Sequence, residues 1–312
     1  MKTEHTSREH NAEAARRALP WKPAVLGIGA VGALWGLGSL TFAYFSTHPV
    51  RRKLRYNPSE FALPFEDISF PSRDGVRLSG WFMASPKARG AIILCHGFPN
   101  NRAEMLYWAK PLHAAGYHLL LFDFRALGLS QGELCSIGHH EIGDLLGAVD
   151  YLSARPEMRD LSLGVFGLSM GGAVALMAAA QDERIAAIAT HGAYASLDRA
   201  IAQHCRLYFG PLGRVMHPPA IWWGRRWLPL DPREVSPLKA VLQMAPRPLL
   251  LFHGGRDIIV RPADARALFE AAPQPKQLHM MPRSWHVYIH PTERAAYETT
   301  LLRFFRDALR RD

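Results

Sequence analysis

Three residue types at three places in the chain can together do nucleophilic chemistry. Ser169 lies in the run GVFGLSMGGAVAL (164–176), with Gly167 two before it and Gly171 two after. The first half of that run is apolar and β-prone, and the second half is small and helix-tolerant. A Gly-x-Ser-x-Gly turn between a strand and a helix forces the serine into strained φ/ψ and lifts its Oγ clear of the sheet. The glycines are required because side chains there would collide with the neighbouring strand and helix. The helix that begins at the serine also points its first N–H groups at the same spot.

A serine hydroxyl needs a base to take its proton and a third group to orient that base. LLLFHGGRDIIV (249–260) offers Asp257 in the loop after a strand, and LHMMPRSWHVYIH (278–290) offers His286 in the next such loop. His279 falls inside the expected strand and reads as structural. His290 stands just before Pro291 and reads as a cap of the last helix. An oxyanion formed on attack needs two donors. The N–H of Met170, which follows the serine, is one candidate. The N–H of Phe98, in CHGFPNN (95–101), is the other.

The elements that must place these residues are legible as alternating strand and helix patterns. Apolar β-rich runs predict strands near 66–70, 76–83, 90–95, 118–123, 161–167, 185–190, 248–253 and 276–281. Asp74-Gly75 predicts a hairpin between the first two. The later runs are continuously apolar, as expected where helices cover both faces of a sheet. Helical patterns fall near 102–115, 139–155, 170–181, 262–272 and 292–310. This alternation predicts an α/β fold with one mostly parallel, eight-stranded sheet. Ligands in such sheets bind at the carboxyl ends of the strands, where Ser169 is expected. The stretch 197–240, rich in Trp, Pro and His, breaks the rhythm and reads as a cap inserted over the sheet.

The N-terminal part differs in composition. No Lys, Arg, Asp or Glu occurs from Pro23 to Val50, and 24–46 is apolar for 23 residues. As a helix it would rise about 35 Å, enough for a hydrocarbon core of about 30 Å. Trp21, Tyr44 and Phe45 sit near its ends, as interfacial rings do. The organisation predicted is a polar tail over 1–22, a transmembrane anchor over 23–47, a linker over 48–64 and a globular domain over 65–312. A cleaved signal peptide fits less well, because the run is long, starts late and is followed by no clear cleavage site. Gly27, Gly29 and Gly32 spell a dinucleotide-type pattern, but no strand precedes them and no βαβ unit follows. Of the formal charge of +10, residues 1–55 carry +6 and the remainder only +4, which argues against a nucleic-acid-binding face. Cys95, Cys135 and Cys205 form neither a disulfide framework nor a zinc spacing.

Over residues 65–310 the sequence resembles the α/β-hydrolase family. The resemblance rests on HGFPNN, FDFRALGLSQG, GLSMGG, GGRDIIV and SWH, and on the chain order Ser, Asp, His. It is most similar to small membrane-anchored serine hydrolases of the esterase, thioesterase and prolyl-oligopeptidase-like branches. Ala126 departs from the glycine commonest at its position and is expected to alter a loop without touching the chemistry. His191, in THGAYASL, stands where such proteins often carry an acidic residue; it either lines the site or is structural. Trp222 and Trp223 suggest an apolar acyl or aryl group, or pack the cap to the core. The resemblance implies carboxylic ester or thioester hydrolysis of a small acyl substrate with no cofactor. Acyl transfer and amide cleavage use the same triad and stay open as alternatives. A non-catalytic binding protein is disfavoured because all three candidates are present. Dehalogenase or epoxide-hydrolase chemistry is disfavoured because its nucleophile is an aspartate.

Overall fold

The structure, a computed structural model, describes residues 21–244 and 246–310, and side-chain environments from residue 32. The expected polar tail falls almost wholly outside the described residues. Eight strands form one sheet: β1 Glu66–Pro71, β2 Arg77–Met83, β3 Ala91–Cys95, β4 His118–Phe122, β5 Leu163–Leu168, β6 Ile185–His191, β7 Leu249–Gly254 and β8 Lys276–Met281. Their spatial order is β1-β2-β4-β3-β5-β6-β7-β8. Strand β2 runs antiparallel to both neighbours, and the pairings from β4 through β8 are parallel. The hairpin at Asp74-Gly75 forms as expected, with Gly75 at φ +87° and Ser72 N–H donating to Val76 O.

The central strands β3, β4, β5 and β7 are buried along their whole length. Runs such as AIILC and HLLLF carry no polar alternation because both faces are covered. One apolar cluster lies on the side of α3 (Glu141–Ser153) and α4 (Met170–Ala179). The other lies under α2 (Leu106–Ala114) and the last helix, Arg294–Ala308. All ten residues of α4 are buried, which explains its small, uncharged sequence. The pattern expected to give one helix over 102–115 divides instead into a 3₁₀ turn, Arg102–Met105, and α2. Arg102 is drawn inward, where its backbone N–H and guanidinium both bond Asp123. The cap region folds as α5 (Leu197–Phe209) and α6 (Gly213–Trp227). After it come α7 (Pro262–Ala271) and α8, the last helix already placed.

The apolar segment near the N-terminus forms one helix, α1, Trp21–Thr47. No helix among the described residues is long and apolar enough to cross a membrane, so a transmembrane anchor gains no support from the structure. The described part of α1 lies along the cap. Trp35 Nε1 donates to Val215 O at 3.0 Å, and Tyr44 and His48 both meet the Trp227 ring. The following segment, expected as a linker, is bound to the domain. Thr47 O accepts Cys135 N–H, and the Arg51 guanidinium donates to the carbonyls of Leu127, Gly128, Ser130 and Gly132.

Gly147 in α3 lies close against the end of β1. A Cβ there would overlap the Pro71 carbonyl oxygen and lie 2.8 Å from Ser72 Cα. Helix propensity alone favours Gly147→Ala by about 1 kcal/mol, whereas forced overpacking costs about 1–3 kcal/mol. The backbone contact cannot yield as a side chain could, so packing wins. Gly147→Ala is expected to lower the urea-unfolding free energy by about 1–2 kcal/mol; a stabilised variant would contradict this account of the contact.

Candidate active site

Strand β5 ends at Leu168 and α4 begins at Met170, leaving one residue to make the turn. That residue, Ser169, sits at φ 49°, ψ −114°. Such a conformation costs about 1–3 kcal/mol and persists only where surroundings enforce it. Here the surroundings are backbone. A Cβ on Gly167 would overlap the Gly171 carbonyl, and one on Gly171 would overlap the carbonyls of Cys95 and His96. The turn is further pinned by Ser169 N–H, which donates to His191 O at 2.8 Å.

The structure brings Ser169, His286 and Asp257 together. His286 Nε2 lies 2.8 Å from Ser169 Oγ, and His286 Nδ1 lies 2.6 Å from Asp257 Oδ2. Asp257 is buried. Its Oδ1 accepts the N–H groups of Ile259 and Val260, both at 2.9 Å. Burial opposes the carboxylate charge, but hydrogen bonds from His253 and His286 and the nearby imidazole overcome it and hold the carboxyl well below the usual range. An ionised carboxylate can only accept, so His286 Nδ1 carries a proton. In the neutral ring Nε2 is then a lone pair facing the serine hydroxyl. The arrangement can take a proton from Oγ and store the resulting positive charge beside an anion.

Two supporting side chains were not visible in the sequence. His253, at the end of β7, is fully buried, with Nε2 2.9 Å from Val260 O and 3.2 Å from Asp257 Oδ2. Its place four residues before Asp257 in HGGRD was the one available signal. Glu104 accepts Gly97 N–H on Oε2 at 2.8 Å. Gly97 packs on the serine: a Cβ there would lie 3.3 Å from Ser169 Cβ. Phe98, the next residue and one expected oxyanion donor, is half-buried at this edge. The other, Met170, is in the first turn of α4, whose N–H groups have no acceptor within the helix.

Three expected substrate contacts fare differently. His191 is fully buried, with Nδ1 3.3 Å from Tyr297 OH, so its side chain does not line the site. It serves the turn through its carbonyl instead. Trp222 is exposed and meets the edge of Trp223, with Arg226 over its ring. These are contacts within the cap. Ala126 adopts φ 60°, the left-handed conformation glycine favours, and its N–H still bonds Gln131 O. His290 caps the turn Pro291–Glu293, as its position before Pro291 suggested.

Burial, then the proximity of His286 and His253, pushes the His191 pKa down to about 3. The folded protein therefore keeps this ring neutral while the unfolded chain protonates it below its ordinary 6.5. Its contribution to stability is complete above pH 6.5 and is lost as pH falls toward 3. His191→Gln keeps a polar partner for Tyr297 and removes the titration. The loss of unfolding free energy between pH 7 and pH 4.5 is expected to be about 2 kcal/mol smaller in this variant. Equal losses in both proteins would show that His191 does not carry the acid sensitivity.

Comparison with known proteins agrees with the fold. Residues 90–212 match the family model described as alpha/beta hydrolase fold. An uncharacterized protein of Mycobacterium tuberculosis is 28% identical over 282 residues, covering 86% of this chain and 88% of its own length. A polyketide transferase of a Penicillium species is 33% identical over 128 residues, covering 40% of this chain and 44% of its own. Among solved structures, an esterase of Pyrococcus furiosus superposes with a TM-score of 0.72 at 23% identity, over 85% of this chain and 98% of that one.

Proposed function

We propose that the chain, whose residues 90–212 match the alpha/beta hydrolase fold model and whose fold superposes on that of an esterase, is a serine hydrolase acting on carboxylic esters or thioesters. The observation that carries this reading is the unbroken hydrogen-bond line from Ser169 Oγ through the His286 ring to Asp257. In the proposed reaction His286 Nε2 takes the Ser169 proton as Oγ attacks the acyl carbon. Asp257 holds the ring in the required tautomer and balances its charge. The N–H groups of Met170 and Phe98 hold the oxyanion. His286 then hands its proton to the leaving alcohol or thiol. Water, deprotonated by the same ring, releases the acyl group from Ser169. None of these steps calls for a metal or organic cofactor.

The esterase of similar fold supports hydrolysis as the outcome. The partial match to a polyketide transferase supports a second outcome, acyl transfer to an acceptor other than water. The two share every step up to the acyl-enzyme and part only in what attacks it. Attachment to a membrane through 23–47 stays within the proposal on its uncharged, apolar composition alone.

With a series of p-nitrophenyl esters from acetate to laurate, the purified protein is expected to turn over at least one chain length. Asp257→Asn should lower kcat by about 10⁴, because the amide stabilises the wrong tautomer. Retention of wild-type kcat in Asp257→Asn would sink the proposed relay. Adding a primary alcohol and analysing products separates hydrolysis, which yields free acid, from transfer, which yields a new ester.

A further inference from the structure

The segment after α1 reaches the loop that carries Phe98. Arg52 Nη1 donates to Asn100 Oδ1 at 2.7 Å, and Asn100 Nδ2 donates to Glu104 Oε1. Glu104 Oε2 in turn accepts Gly97 N–H. The backbone of the segment is held separately, since Asn101 Nδ2 donates to the carbonyls of Arg52 and Lys53 at 3.0 and 3.2 Å. We propose that this N-terminal strap is a working part of the active site, in which Arg52, acting through Asn100 and Glu104, is a positioning residue that holds the Gly97–Phe98 backbone against Ser169.

Gly97 lies against the Ser169 side chain, and its N–H is committed to Glu104. With that N–H taken, the next donor on the loop, Phe98 N–H, is the one left to face an oxyanion. A donor at an oxyanion site works only within a few tenths of an ångström of its place. Glu104 can hold Gly97 in register only if its other oxygen is also fixed, and Asn100 fixes it. Asn100 presents its amide N–H to Glu104 because Arg52 occupies its carbonyl oxygen. An amide that turned over would aim oxygen at carboxylate. Arg52 thus sets the orientation of Asn100, and Asn100 the orientation of Glu104. The same strap is tied at Thr47 O to the N–H of Cys135, whose thiol lies 3.8 Å from Met170 Sδ, beside the second expected donor.

The kinetic arm of the test rests on the serine-hydrolase proposal; the exchange arm does not. Arg52 is exposed and its strap is held by other bonds, so Arg52→Ala is expected to fold as wild type. Its kcat on a short p-nitrophenyl ester should fall about tenfold with KM within about twofold, less than the 10²–10³ of a deleted donor. The inhibition constant of benzeneboronic acid, whose tetrahedral adduct places an oxygen at the oxyanion position, should rise in parallel. Arg52→Lys, which can still donate to Asn100, should recover most of both. Amide hydrogen exchange over 96–101 should quicken in Arg52→Ala and not in Arg52→Lys. Unchanged exchange over 96–101, or an effect on KM alone, would overturn the inference. Ester turnover surviving in Ser169→Ala would instead overturn the serine reading, leaving the exchange result to judge the strap.

Discussion

Everything at the site depends on one backbone constraint: the chain must pass from β5 into α4 through a single residue while pressed against the end of β3. Side chains at 167 or 171 would occupy space already filled by carbonyl groups. The turn is therefore possible only with glycine on both sides, and Ser169 bears the strain at φ 49°. That strain is not incidental. A serine in an ordinary helical or extended conformation at this point would send its hydroxyl into the sheet or along the helix. Held as it is, Oγ stands above the strand ends, where the loops after β7 and β8 deliver Asp257 and His286.

The electrostatics are built on the same frame. Asp257 is buried, and burial by itself would favour its neutral form. Four polar partners reverse this: two backbone N–H groups on Oδ1 and two imidazoles on Oδ2. Because Val260 O competes for the single Nε2 proton of His253, that ring shares its bond between a carbonyl and the carboxylate. The shorter contact, from His286, is the one aligned with Ser169. His191 is kept neutral nearby by its burial and by the proximity of His286 and His253.

Much of this was legible in the sequence because the relevant residues stand at strand ends. LGVFGL, LLLFHG and KQLHMM are strands by their apolar and β-prone character, and the loop after each of the last two must lie at the carboxyl edge. The hairpin at Asp74-Gly75 was legible for a similar local reason, and the stretch read as a cap holds the helices Leu197–Phe209 and Gly213–Trp227. Local pattern could not reveal contacts between residues far apart in the chain. His191 was read either as lining the site or as structural, because it stands where similar proteins often carry an acidic residue. Its side chain falls on the opposite face, against Tyr297, because a strand alternates its directions and 191 is on the inward phase. The stretch from 48 to 64 looked like a linker, since a run of basic residues gives no sign of which groups will accept its hydrogen bonds. Arg51 finds four carbonyls on one loop, and Arg52 finds Asn100 on another. The apolar run at the N-terminus was read as a transmembrane anchor; it forms the helix Trp21–Thr47, whose described part packs on α6, and no helix among the described residues is long and apolar enough to cross a membrane.

The central claim is that the folded protein holds an activated serine at position 169. The most direct measurement is labelling of the native protein with a fluorophosphonate, followed by peptide mass mapping of the adduct. The account predicts one adduct, on Ser169, formed rapidly in the native protein, abolished in Ser169→Ala and strongly slowed in His286→Ala. Native protein that resists the probe, or an adduct that forms equally fast without His286, would contradict it.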